Sequence, residues 1–128
     1  MVSSERELIS LLGERFAWPS ADVRLGIGDD AAVLATQHEP LVVSVDASVE
    51  GVHFDLEYLT AEDVGYRSFQ AAVSDLAAMG AHPVAALSAL VLPRQLSSEA
   101  IDQLTLGQAQ ASRETGCPVV GGNVARGR

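Results

Sequence analysis

Leu8, Ile9, Leu12 and Phe16 recur at helical spacing and predict a first helix, capped by Ser3 or Ser4 and running to about Phe16, where Trp18-Pro19 ends it. The pattern then changes period. After a Gly-Ile-Gly-Asp-Asp turn at 26–30, Ala31–Ala35 reads as a short strand and Leu41–Asp46 (LVVSVD) as a stronger, β-branched one. Gly51 breaks the chain before His53 and Phe54. Thr60, followed three residues later by Asp63, has the form of a capping box and opens a long helix that stops at Gly80, a natural position for the residue after a helix end. The apolar run Pro83–Leu92 predicts a strand buried on both faces or lying at a subunit contact. Ser97 or Ser98 opens another helix, which turns Ile101, Leu104 and Ala111 inward and closes at Gly116; Pro118–Gly122 is a last short strand entering a loop. The order α-β-β-α-β-α-β describes an α/β or α+β domain with a mixed sheet packed by helices. Residues 1–128 read as a single domain, without repeats or an internal linker.

Composition narrows the functional classes. Of 128 residues, 48% are apolar and 20% charged, which is ordinary for a soluble globular protein. No apolar run approaches the roughly 20 residues of a membrane helix. The opening MVSSERELIS lacks the basic-then-apolar pattern of a signal peptide, so a cytoplasmic location is expected. Cys117 has no partner for an intrachain disulfide, and it reads as a small half-buried thiol rather than a nucleophile. The net charge is −9, and every basic residue is arginine. Without lysine there is no Walker-type phosphate loop. A nucleic-acid partner is disfavoured as well, because a basic face is hard to assemble from this composition. Phosphate chemistry, if present, is expected to run through divalent cations.

The acidic residues fall where backbones approach ligands. Asp29 and Asp30 sit in the glycine turn, Asp46 ends a strand, and Asn123 follows Gly121-Gly122 at another strand end. Asp75 lies in AAVSDLAAMGA, small or apolar around nearly the whole helix, so its carboxylate is expected inside the protein, where it needs a partner. Arg67, eight residues away, projects roughly 80° around the axis and about 12 Å along it, a poor match. Taken singly, each residue has a plain reading: a turn-forming Asp, a strand terminator, a distant ion pair, a packed or surface His53. Taken together, they suit one hard, oxygen-preferring cation. No cysteine or close histidine pair accompanies them, which favours Mg²⁺, Mn²⁺ or Ca²⁺ over Zn²⁺, and the EF-hand spacing is absent. Magnesium, usually bound together with substrate phosphates, is the first choice.

GIGDDAAV at Gly26–Val33, D-x-x-VEGVHF at Asp46–Phe54, SDLAAMGA at Ser74–Ala81 and GG-x-x-x-RG at Gly121–Gly127, in that order, strongly resemble the thiamine-monophosphate kinase family. That family belongs with aminoimidazole ribonucleotide synthetase and selenophosphate synthetase, which use ATP without a P-loop. The resemblance implies the N-terminal domain of this fold, with strands pairing across a homodimer into a barrel-like core. It implies transfer of the γ-phosphoryl group of ATP to thiamine monophosphate, giving thiamine diphosphate. Mg²⁺ would be held by Asp30, Asp46 and Asp75, assisted by Ser44 and the main chain at Val45. Gly122 and Asn123 would stand beside the nucleotide, Asn123 also at a metal-binding position, and His53 near the thiamine phosphate. Asp29 is assigned to the turn itself or to a supporting role. Transfer between two phosphates requires positioning and charge neutralisation, so no protein nucleophile is nominated.

Two features depart from the family pattern. GGDT reads GGNV here, so Asn123 replaces a carboxylate and Val124 a hydroxyl. Family members also carry a second domain after the RG motif, and the chain stops at Arg128; by itself it is expected to show little or no kinase activity. The competing readings are a related ATP-dependent synthetase with another acceptor, which VEGVHF argues against, and a non-catalytic dimerisation or nucleotide-binding module, which Asn123 suggests.

Overall fold

A computed structural model describes residues 5–35 and 38–127; the Ser3 or Ser4 cap lies outside them. The elements are α1 (Glu5–Arg15), β1 (Val23–Leu25), β2 (Val33–Leu34), α2 (Ala61–Ala78), β3 (Ala86–Pro93), α3 (Ser98–Thr115) and β4 (Val119–Gly127). This is a mixed α+β arrangement with two small sheets: β1 pairs antiparallel with β2, and β3 pairs parallel with β4.

The long helices form where their ends are specified locally. At the start of α2 the Thr60 side chain accepts the Asp63 N–H, while the Asp63 carboxylate accepts the Thr60 N–H, so the expected capping box is present. At its end Gly80, with φ 67°, donates to Ala77 O while Ala81 donates to Leu76 O, a Schellman closure. Helix α3 begins with Ser97 as N-cap and ends at Gly116 in the left-handed region.

Helix α2 packs along α3 at unusually close range, through Gly65 and Gly107. A Cβ on Gly65 would overlap the Leu104 carbonyl, and one on Gly107 would overlap that of Glu62. The core lies between the helices and the β3–β4 pair. Phe16, Phe69, Ala109, Ala111, Cys117 and Val119 form one cluster, and Leu8, Leu92 and Ile101 a second. Arg15 ties α1 to α3 through an ion pair of 2.7 Å with Asp102 and a hydrogen bond to Thr105 Oγ1. Ile9, expected on the buried face of α1, is 42% exposed.

The strands depart further from expectation. Leu41–Asp46 joins neither sheet, and Val43 and Val45 are 82% and 93% exposed. β-branched residues supply strand propensity, but a strand forms only against a partner backbone, and no described segment offers one. β1 takes the place of the expected strand, pairing with a β2 shorter than Ala31–Ala35. The run Pro83–Leu92 is not buried on both faces in this chain. In β3 the side chains alternate, with Leu92 buried and Leu87 and Val91 more than 70% exposed. Of the two sequence readings, burial on both faces is ruled out within the chain. β4 continues to Gly127, beyond the predicted Gly122, because β3 supplies eight residues of parallel partner. No helix among the described residues is long and apolar enough to cross a membrane.

Candidate functional site

The GIGDD turn links β1 to β2 with Gly28 at φ 131°, a conformation that excludes most side chains. Asp29 Oδ1 accepts the Asp30 N–H at 2.8 Å, which gives Asp29 a turn-forming role. The Asp30 side chain is exposed.

Downstream, the extended segment through Ser44 passes the C-terminal half of α2. Ser44 Oγ donates to Asp75 Oδ2 at 3.0 Å, bringing two of the sequence-nominated ligands together across 31 positions. Asp75 is exposed, not inside the protein as its sequence neighbours suggest. The small and apolar residues beside it belong to the last turns of α2, which no other described element covers; Met79 there is 70% exposed.

Two residues beyond Ser44, Asp46 turns its Oδ1 to the Ala47 N–H at 2.8 Å. A tight loop follows, closed by Gly51 N–H to Phe54 O and by His53 N–H to Val49 O, each at 2.8 Å. Within it the Val49 N–H donates to His53 Nδ1 at 3.1 Å. Because Nδ1 accepts, the ring proton resides on Nε2, at the opposite edge. Asp46, Ser48, His53 and Phe54 from this segment face Arg67 and Ser68 of α2 across a cleft of about 150 Å³. The helical wall is one stripe, Val64, Arg67, Ser68 and Ala71, at spacings of three and four residues. Arg67 and Ser68, with Ser48 opposite, are polar cleft residues that sequence reasoning misses; for the first two the helical stripe is the signal that finds them.

Gly122 and Asn123 lie in β4, in register with Ser88 and Ala89 of β3. Gly122 has φ 148°, and any Cβ there would overlap the Ser88 backbone, so a side chain is excluded at this close approach. Asn123 is exposed and shares the outward face of the sheet with Leu87 and Val91. Val45, between Ser44 and Asp46, is almost fully exposed.

The structure thus joins Ser44 to Asp75 and lines one cleft with Asp46 and His53, but among the described residues no group of three or more His, Cys, Asp or Glu side chains assembles at metal-binding distance. The donors present nevertheless suit magnesium. This ion keeps several waters and is usually held by one or two carboxylates plus substrate phosphates rather than by a complete protein cage. A carboxylate with a hydroxyl hydrogen-bonded to it is a hard oxygen pair of that kind. Cys117 takes no part: it is buried in the core, and desolvation pushes its thiol up to about 11.

Comparison with known proteins gives the chain's relatives. Residues 28–128 match the family model described as AIR synthase related protein, N-terminal domain. Among curated relatives, the chain is 39% identical over 100 residues to a thiamine-monophosphate kinase of Synechococcus elongatus, covering 77% of this chain and 31% of that protein. It is 32% identical over 125 residues to one from Methanocaldococcus jannaschii, covering 96% and 39%. A crystal structure of thiamine-monophosphate kinase from Stenotrophomonas maltophilia superposes with a TM-score of 0.80 at 37% identity, over 94% of this chain and 37% of that one. AaThiL complexed with AMPPCP and TMP superposes with a TM-score of 0.68 at 32% identity, over 97% and 38%. The chain spans about a third of the length of the curated relatives it matches.

Proposed function

The chain belongs to the AIR synthase related family through that family's N-terminal domain, and from this premise we propose that it is the metal- and nucleotide-binding part of a thiamine-monophosphate kinase. The whole protein would move the γ-phosphoryl group of ATP onto the phosphate of thiamine monophosphate. The observation that carries this reading is the Ser44–Asp75 hydrogen bond, which unites residues nominated from separate sequence motifs beside the cleft of Asp46 and His53. The relatives' names and the AMPPCP and TMP bound by AaThiL give the phosphate chemistry its direction.

Asp75 and Ser44, with Asp30, Asp46, the Val45 carbonyl and Asn123, would hold Mg²⁺. When bound, the ion supplies charge neutralisation between donor and acceptor phosphates. The chain's own residues position the reactants. Ser44 orients the Asp75 carboxylate, Gly122 lets the β4 backbone stand open beside Asn123 for the nucleotide, and His53 offers Nε2–H to the acceptor phosphate. Asp29 holds the turn that presents Asp30. An acceptor that is already ionised needs no general base.

The test is phosphoryl transfer by the whole protein carrying this chain, given ATP, Mg²⁺ and thiamine monophosphate. Thiamine diphosphate is the expected product, abolished by chelation; none above background rejects the reading. The isolated chain is expected to be inactive. A panel of other acceptors separates a related synthetase from this kinase. One observation favours a second role alongside the first: the outward apolar face of β3, with Leu87 and Val91 exposed, suits a homodimer contact. A purely dimerising module would bind neither Mg²⁺ nor ATP.

A further inference from the structure

The cleft wall formed by α2 carries a positive charge that the metal-centred reading leaves unused. Arg67 is the basic side chain among the cleft's lining residues, and it forms no hydrogen bond or ion pair with a described residue. Its influence extends to Asp63, one turn back, whose carboxylate is already engaged by Thr60. Arg67 is exposed at the cleft, so its guanidinium is open to an anion arriving from solvent. Across the cleft His53 has Nδ1 occupied by the Val49 N–H, which leaves Nε2–H as a donor, and Ser48 and Ser68 add hydroxyls to the lining. A guanidinium fork, an imidazole N–H and hydroxyls that line one cleft of about 150 Å³ are donors of the kind a phosphate monoester's oxygens accept, with the Asp46 carboxylate as the opposing charge there.

We propose that Arg67 binds the acceptor's phosphate directly, with no metal ion between them, and so selects the phosphorylated substrate over the free alcohol. The proposal rests on the kinase reading and assigns its acceptor subsite. The local geometry agrees with transfer. Asp75 lies eight residues beyond Arg67 on α2, about 12 Å along the axis. Ser44 is hydrogen-bonded to Asp75, and Asp46, two residues on, lines the cleft. One strip of chain therefore connects the metal-binding end with the acceptor end.

The experiment compares thiamine monophosphate with thiamine, titrated calorimetrically into the whole protein without ATP and with a chelator present. Both ligands carry the same thiazolium, so their ratio isolates the phosphate. Wild type is expected to prefer the monophosphate at least tenfold. Arg67→Met, which keeps the apolar stem, is expected to bring the ratio near unity with thiamine affinity unchanged, and Arg67→Lys to restore part of it. In turnover, Arg67→Met should raise KM for thiamine monophosphate about tenfold and leave KM for ATP alone. A variant that keeps the preference overturns the proposal, and so does one that loses both ligands alike, since Arg67 would then be a scaffold residue. Failure of the kinase reading has its own signature, wild type that makes no thiamine diphosphate. The cleft is then judged with inorganic phosphate, which should shift the His53 ring resonances in wild type and not in Arg67→Met; unshifted wild-type resonances overturn it.

Discussion

The Ser44 hydroxyl fixes one oxygen of Asp75, and in the proposed metal site it would also be a hard ligand itself. Losing an orienting partner of this kind costs about 10–100-fold in metal affinity. Ser44→Ala is therefore expected to weaken Mg²⁺ binding within that range, and Asp75→Asn, which keeps the shape and removes the charge, at least as much. Calorimetric titration of Mg²⁺ into the three whole proteins decides, and equal binding removes the pair from the metal site. Cys117 makes a contrasting prediction. With its thiol near 11, only roughly a thousandth is ionised at pH 8, and the side chain is buried. It should resist alkylation in the native protein and react at once in guanidinium; rapid native labelling would contradict its place in the core. At this scale the sequence discloses residue types better than surroundings. Asp30 and Asp46 can be nominated because a glycine turn and an expected strand end are read locally, Asp75 because a carboxylate stands out among small and apolar helix residues, and Ser44 only through the family resemblance. Exposure of Asp75 cannot, because it depends on what fails to cover the end of α2. Arg67 stays hidden for a related reason: its spacing to Asp75 says nothing of the loop that folds across α2 to face it.

Among the elements, the α2–α3 pair depends on two missing side chains. Gly65 and Gly107 let each helix rest against a carbonyl of the other, and neither site has room for a methyl group. Gly65→Ala and Gly107→Ala are each expected to cost about 1–3 kcal/mol or more by forcing the helices apart. Chemical denaturation measures this, and a loss below about 0.5 kcal/mol would show that the helices can separate freely. The α2 cap adds a pH dependence. Hydrogen bonds from the Thr60 side chain and then its backbone hold the Asp63 carboxyl below its ordinary range. A carboxylate depressed in the folded state stabilises above its unfolded value, and that contribution is lost as pH falls through the folded value. Thr60→Ala should lower stability at neutral pH and flatten this acid-side decline, as thermal melts across pH 2–6 would show. Helix ends were readable at Thr60, Gly80, Ser97 and Gly116 because caps are satisfied within a few residues. Strands were readable only in part: β3 and the start of β4 fall where Pro83–Leu92 and Pro118–Gly122 were expected, but pairing is decided far along the chain, so Val23–Leu25 is too short to announce itself and Leu41–Asp46 has the right residues and no described partner.

For the whole molecule, the unsatisfied strand and the open sheet face are one problem. Leu87 and Val91 project from β3 more than 70% exposed, Val43 and Val45 more than 80%, and these apolar surfaces belong to a chain of net charge −9. Exposed apolar faces of this size drive association, while like charge opposes it. Burying Leu87 and Val91 would contribute about 1.5–3 kcal/mol for each side chain per protomer. Screening weakens only the opposing charge, because apolar burial is insensitive to moderate salt. The whole protein should therefore sediment as a dimer at micromolar concentration, and added salt should tighten the dimer. Leu87→Asp with Val91→Asp should give monomers, as both changes place further negative charge on the contact. The same face carries Asn123, so the monomeric variant should also bind ATP more weakly if the partner borders the nucleotide. Wild type that sediments as a monomer in high salt would show that β3 is not the contact. A dimer untouched by the double substitution would show that association runs through another surface, leaving Leu41–Val45 to find its strand partner elsewhere in the whole protein.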